Sequence, residues 1–383
     1  MNKLDYDNHL HRQCMSIIDL CDSQIDGVYS GLENISESVL KQARNLTFTG
    51  CGDSYMACIA ALPVFQKYTG AFASIIKVER AIDATRYMPI DQQFPEDTML
   101  VAVSASGSPA RIFEALKRAN SHGYMSLAVS NNTESRAVQE AQNSLIVNTP
   151  SFPNANPGLR NYYASVVALM MLAAKMGEVK GISKKGTLDR LTEAIKEYTK
   201  SYSPVLESID KQMFELAKTW KDFEGFNFIG DDTELATASF CSAKVIEVSG
   251  IISSVEDSEN WCHVNTFIRN PEKIGTIIFA DKLANNKSRI IETIKQAKGM
   301  NRPILVITNG TKEDFDIPEE VNVCSIPQAP SGYEFLSPVM NYLPGAILAS
   351  YISHLLKEPY FRGDGIWAQE GVGTIKNSEI EII

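Results

Sequence analysis

The sequence predicts an α/β protein built as two doubly wound units in tandem, each a parallel sheet flanked by helices. Three observations carry this. The apolar stretches Thr98-Met-Leu-Val-Ala-Val-Ser, Met125-Ser-Leu-Ala-Val-Ser, Gly275-Thr-Ile-Ile-Phe-Ala and Pro303-Ile-Leu-Val-Ile-Thr show no alternation, the pattern of strands covered on both faces. Amphipathic helical stretches separate them, from Pro109 onward and around Ser288 to Lys298. The whole order of elements then occurs twice.

The first repeat opens at Asn45-Leu-Thr-Phe-Thr-Gly-Cys-Gly-Asp-Ser, a short buried strand, a glycine turn and a helix of small residues. Phe226-Asn-Phe-Ile-Gly-Asp-Asp-Thr-Glu-Leu has the same grammar about 180 residues later. Residues 1–44 read as helical and are expected to pack on the first unit. The first unit is placed at 45–180 and the second at 225–360. Between them 181–224 reads as a helical linker, a hairpin over Leu188 to Trp220 broken at Pro204, and 361–383 reads as a tail.

Composition narrows the function. The 383 residues carry 46 Asp+Glu against 36 Lys+Arg, a formal net charge of −10, with 44% apolar residues. That length suits about two domains, and the acidic balance gives no basic face for nucleic acid or an anionic membrane. The N-terminal stretch is polar and acidic, unlike a signal peptide. The longest apolar run, Tyr162 to Ala174, is too short to cross a bilayer. Seven cysteines without a C-x-x-C pair fit reduced thiols in a cytoplasm, with Cys14, Cys21, Cys58 and Cys241 at core positions. Five histidines without H-x-x-H spacing argue against a zinc site, and no cofactor is implied.

The sharpest chemical signal is Val103-Ser104-Ala105-Ser106-Gly107-Ser108-Pro109, directly after a strand and opening a helix. Pro109 suits the first helical position and Ser108 the N-cap. First-turn amides with the helix dipole behind them, three hydroxyls and a glycine form a neutral cradle for a phosphate. The plainer reading is a capped helix with serines filling its turn. The corresponding loop of the second unit, Phe279-Ala-Asp-Lys-Leu-Ala-Asn-Asn, has lost the serines. Gly50-Cys51-Gly52-Asp53-Ser54 is the other strand-to-helix turn. As a dinucleotide fingerprint it is incomplete, because Tyr55 holds the third glycine position. Asp53 and Ser54 are better placed against sugar hydroxyls, since neighbouring parallel strands share one crevice at their carboxyl ends; simple capping is the alternative.

The pair Gly-Cys-Gly-Asp-Ser and Val-Ser-Ala-Ser-Gly-Ser-Pro, on a tandem repeat, resembles the sugar isomerase (SIS) domain family. That family includes the isomerase half of glucosamine-6-phosphate synthase, amino-sugar-phosphate deaminases and fructosamine-phosphate deglycases. The resemblance runs from about residue 45 to the C-terminus. It implies a phosphate loop made of Ser104, the Ala105 amide, Ser106 and Ser108, with Ser108 supplying the hydroxyl of the family's threonine, where this chain has Pro109. It implies sugar contacts from Asp53 and Ser54. Lys244-Val-Ile-Glu247 matches the K-x-x-E of the family's catalytic helix, and His263 follows at the distance of its ring-opening histidine. The surroundings of His263, Glu259-Asn-Trp-Cys-His263-Val, depart from the synthase pattern G-E-x-x-H-G-P. Thr374-Ile-Lys376-Asn-Ser-Glu resembles the family's closing tail, whose lysine lies over the sugar. The resemblance also implies a homodimer with shared active sites.

The chemistry is coherent by itself. Moving hydrogen between C1 and C2 of a sugar phosphate takes one carboxylate on one face, removing and returning the same proton. Lys244 and Glu247, three apart on a helix, share a face, so the ammonium can hold the carboxylate. A histidine near neutrality can protonate the ring oxygen. The plainer readings are a surface ion pair for Lys244–Glu247 and a buried structural histidine for His263. Residue 2 is Asn2 and about 45 residues precede the first motif, so no glutaminase domain is expected. The expected activity is deamination, deglycation or isomerisation of an aminated hexose 6-phosphate; the alternative is a non-catalytic sugar-phosphate sensor.

Overall fold

A computed structural model describes residues 8–70, 76–90, 95–359, 361–362, 375 and 379–383. The chain divides into two compact units. One holds Asp19–Phe152, Arg160–Lys196 and Gly373–Ile383; the other holds Met1–Ile18, Pro153–Leu159 and Glu197–Val372.

The first sheet contains β1 (Asn45–Gly50), β2 (Ile76–Arg80), β3 (Thr98–Val103), β4 (Met125–Ser130) and β5 (Asn143–Ile146), in the order β2-β1-β3-β4-β5. All its pairings are parallel. Every residue of β3 and β4 is buried, as their unbroken apolar pattern requires. Leu100, Ala102 and Ala128 pack in one cluster with Ile112, Ala115, Leu116 and Ala119 of the helix Ala110–Ser121. From β1 the chain passes first to β2 on one side and then to β3 on the other, so the connections diverge between β1 and β3. That divergence opens a crevice at the strands' carboxyl ends.

The second sheet repeats the first with β6 (Gly225–Ile229), β7 (Ile252–Glu256), β8 (Ile274–Ala280), β9 (Ile304–Thr308) and β10 (Asn322–Ser325), ordered β10-β9-β8-β6-β7 and again parallel. Its crevice lies between β6 and β8. The repeat extends to backbone detail. The helices Asp53–Thr69 and Thr233–Ser249 are each 17 residues long. Each ends at a left-handed glycine, Gly70 or Gly250, and each follows a turn residue of nearly identical dihedrals.

Two boundaries are corrected. The N-terminal segment does not pack wholly on the first unit, since residues up to Ile18 join the second. The helix His9–Met15 is held there by polar anchors: His11 Nε2 lies 2.7 Å from Asp210 Oδ1, and the Tyr351 hydroxyl donates to the same oxygen at 2.7 Å. The stretch 181–224 forms helices Thr187–Ser201 and Leu206–Trp220, separated around Pro204, but is shared between the units rather than standing apart. The apolar run at Tyr162 belongs to the helix Leu159–Val179, which with Glu334–Leu355 is long and apolar enough to cross a membrane. Both are core helices, with 83% and 94% of their apolar windows buried.

Candidate functional site

In the first unit Gly50 and Val103 are partners in the β1–β3 register, so the loops that follow them leave the sheet side by side. Gly50 is forced by packing: a Cβ there would lie 2.6 Å from the Ser54 carbonyl carbon and the Tyr55 nitrogen. Gly52 turns the chain at φ +53 and ψ −125, after which Asp53 and Ser54 open the helix. No side chain caps this helix through its N-cap residue Gly52.

The serine loop is tied at its base and open at its tip. Ser104 is buried, and its Oγ accepts the Gly107 N–H at 3.0 Å. The Ala105 carbonyl accepts from the Asn131 N–H at 3.0 Å and the Ser130 hydroxyl at 3.2 Å. Gly107 adopts φ +62, and a Cβ there would meet Ser135 Oγ at 2.1 Å. At the exposed tip the Ser106 and Ser108 hydroxyls lie 2.8 Å apart, and Ser106 Oγ accepts the Ser108 N–H at 3.3 Å. The expected cap is corrected: the helix starts at Ala110 with Pro109 as its N-cap residue, so Ser108 does not cap it. Pro109 stays outside the helix because its ψ of 131 is extended. The hydroxyls of Ser106 and Ser108 are thereby turned toward each other and solvent, at the end of the crevice that Asp53 and Ser54 also border. Six of the sequence-selected residues are gathered in this unit: Asp53, Ser54, Ser104, Ala105, Ser106 and Ser108.

The second unit carries the proposed acid–base groups. Lys244 is completely buried on the helix Thr233–Ser249, and its Nζ donates to Glu247 Oε2 at 2.5 Å. The ammonium also lies 4.8 Å from the Phe240 ring centroid, within reach of its negative face. The carboxylate end remains 32% exposed. A wholly buried ammonium sets this pair apart from an ordinary surface ion pair. His263 lies on the helix Ser258–Val264, and it is not a buried structural histidine. It is 71% exposed, and its Nε2 lies 2.9 Å from Glu259 Oε1 one turn earlier. Glu259 is also ion-paired with Arg289. The buried residues of that helix are Ser258 and the neighbours of His263, Trp261 and Cys262. Lys376 lies outside the described residues.

Sequence reasoning missed the acidic lining of the second crevice, where Glu234 and Asp281 stand. The signal was present: Asp231-Asp232-Thr233-Glu234 stands 180 positions after Cys51-Gly52-Asp53-Ser54, with acids where the first repeat is neutral at three of four positions.

With this geometry established, comparison with known families is decisive for the first unit, because residues 39–175 match the SIS domain. Residues 39–175 are a SIS domain. Its serine loop and glycine turn therefore lie at the switch point of a SIS sheet, and the second sheet repeats the SIS-type fold. The chain is 24% identical over 342 residues to a glutamine–fructose-6-phosphate aminotransferase (isomerizing) of Thermococcus kodakarensis, covering 85% of this chain and 52% of that protein. It spans about half the length of the curated relatives it matches. Among solved structures, the C-terminal domain of glucosamine-fructose-6-phosphate aminotransferase from Francisella tularensis superposes with a TM-score of 0.81 at 14% identity, covering 94% of this chain and all of that one. Glucosamine-6-phosphate deaminase from Thermotoga maritima superposes with a TM-score of 0.64 at 17% identity, covering 91% and 96%. At these identities the structural likeness establishes the tandem SIS-type fold.

Proposed function

We propose that this chain is a SIS-type sugar-phosphate enzyme acting on an aminated hexose 6-phosphate by carboxylate-mediated proton transfer between C1 and C2. The observation that carries the reading is the Lys244–Glu247 pair: a sealed ammonium holding a carboxylate whose other side stays open. Binding alone has no need of such a group. A base that must take a proton and give it back does, since it needs one orientation and access to substrate.

In this reading the Ser104, Ser106 and Ser108 hydroxyls and the Ala105 amide hold the phosphate, and Asp53 and Ser54 bind sugar hydroxyls. His263 protonates the ring oxygen to open the sugar. Glu247 removes the proton from C2 of an aldose form, or C1 of a ketose form, and returns it to the neighbouring carbon; Lys244 orients it and Lys376 closes the site. With an amine on the sugar, water completes the exchange: an amino-sugar phosphate yields ketose phosphate and ammonia, and a fructosamine phosphate yields aldose phosphate and free amine. No cofactor or metal enters the step as written, and a cytoplasmic setting supplies such substrates.

His263 favours a second reading, a sugar-phosphate sensor, because its imidazole is engaged with Glu259 and solvent. A homodimer answers this if each His263 serves the partner's site. The apolar side chains that follow it, Val264, Phe267 and Ile268, are exposed as an interface would require. The test is a screen of purified protein on fructosamine 6-phosphates and glucosamine 6-phosphate. Glucose 6-phosphate release marks a deglycase and ammonia release a deaminase. Thermal stabilisation by these sugars without turnover would replace the enzyme with the sensor.

A further inference from the structure

Arg302 stands in the second unit just before β9 and is 4% exposed. A guanidinium so deeply buried ordinarily faces a carboxylate, yet every acceptor it reaches among the described residues is neutral. Its Nη1 donates to Asn227 Oδ1 of β6 and to Thr276 Oγ1 of β8 at 3.3 Å, and its Nη2 to the Asn265 carbonyl at 3.2 Å. Burial draws its pKa down to about 10, so it stays cationic at neutral pH. For stability alone such a group is costly, since an apolar side chain would fill the same space with no charge to desolvate.

The third acceptor explains the charge. Asn265 is the C-cap residue of the helix Ser258–Val264, which carries His263 in its last turn. Carbonyls at a helix C-terminus lack intrahelical donors and carry the negative end of the dipole, so a cation is favoured there. Arg302 also lies over that helix, its Cζ 5.1 Å from the Trp261 ring centroid. From the neighbouring helix Lys287–Gly299, Gln296 Nε2 donates to the Cys262 carbonyl at 2.9 Å. Residues on both sides of His263 are thus fastened. Trp261 and His263, two positions apart, point about 200° apart around the helix axis, so the clamped face lies opposite the imidazole. The ring gains little orientation from its own partner, since Glu259 is itself 62% exposed. A helix of seven residues also has little stability of its own.

We propose that Arg302 is a positioning residue for His263: it caps and clamps the C-terminal end of this short helix, so that the imidazole is presented in one orientation. Gln296 is the second strap on the same helix end. The proposal rests on the reading of His263 as the ring-opening acid. Without the clamp the last turn frays, and the imidazole samples orientations from which it cannot deliver a proton to the ring oxygen. Phosphate binding at the serine loop, in the first unit, is untouched.

The test uses the full chain carrying Arg302→Met, which keeps an apolar stem but removes the charge and the donors. In imidazole NMR spectra, with His263 assigned from His263→Ala, the His263 signal should broaden or double while the other four histidines keep theirs. An unchanged His263 signal overturns the proposal, whether or not the chain is an enzyme. Turnover of an aminated hexose 6-phosphate then separates positioning from general weakening. Arg302→Met should lower kcat about tenfold with KM within about twofold, and should cost less than about twofold when added to His263→Ala. Equal loss in both backgrounds, or a loss confined to KM, overturns the proposal. If Arg302→Met fails to fold, Gln296→Leu takes its place, with the same pattern and a kcat loss of about threefold. A wild type without turnover refutes the acid–base reading, while the NMR signal still decides whether Arg302 holds His263.

Discussion

Lys244 Nζ lies 2.5 Å from Glu247 Oε2, with the lysine sealed from solvent and the glutamate 32% exposed. One helical turn separates the two residues, so backbone geometry brings them together. The asymmetry of burial gives the pair its character: the buried end cannot find another partner in water, and fixes the exposed end in place.

Replacing Glu247 should therefore separate chemistry from folding. Glu247→Gln keeps an oxygen for Lys244 but loses the base, and kcat should fall by about 10²- to 10⁴-fold with little change in melting temperature. Glu247→Leu strands a buried ammonium and should also lower stability by about 3 kcal/mol, read by denaturant unfolding.

The serine loop should govern affinity more than rate. A lost hydrogen bond to a charged group is worth about 1.5–3 kcal/mol, so Ser106→Ala should raise KM for a phosphorylated sugar about 10- to 100-fold with kcat nearly kept. Gly107→Ala should be worse, because φ +62 and a 2.1 Å approach to Ser135 Oγ leave no place for a Cβ; a stability loss of about 2 kcal/mol is expected from thermal melts.

Stability should carry a pH signature from Glu234. Desolvation raises its folded-state carboxyl to about 7, above its unfolded value near 4.3. The folded state then binds more protons between these values, so this residue's contribution falls as pH rises from about 4.3 to 7 and is flat beyond. Glu234→Gln should remove that slope, leaving the variant's stability relative to wild type rising across the window. Unfolding midpoints from pH 4 to 8 measure it.

One thiol should react in the native protein. Six of the seven cysteines are buried, and only Cys51, between Gly50 and Gly52, is exposed. Maleimide should add one equivalent, slowly because partial desolvation of this accessible thiol raises its pKa, and a bound sugar phosphate should protect it. Labelling of several thiols would contradict the described packing.

The proposed dimer rests on the apolar surface after His263. Phe267 is 84% exposed. Phe267→Glu should convert a sedimenting dimer to monomer and abolish turnover together; a monomeric wild type would remove His263 from the mechanism.

Much of the architecture was readable because its signals are local. β3, β4, β8 and β9 declare themselves by unbroken apolar runs, and the turns after β1 and β6 by matching glycines. The edge strands β2, β5, β7 and β10 were harder to read, since an edge needs fewer apolar residues: β7 is Ile-Ser-Ser-Val-Glu, with Ile252 exposed. Ser108 was misassigned as a cap because Pro109 at N1 and at the N-cap look alike in sequence and differ only in ψ. The N-terminal helix was assigned to the wrong unit, because its docking depends on His11 meeting Asp210, 199 positions away.

By itself, then, the sequence determined two parallel α/β units, the serine-lined loop and the Lys244–Glu247 spacing, since strand covering, turn chemistry and helical period are written in neighbouring residues. The tertiary structure decided that Lys244 is sealed, that His263 is open, that Glu234 is buried, and that the second crevice is acidic where the first is neutral. Those are matters of desolvation and charge environment, which depend on what distant elements bring to cover a side chain.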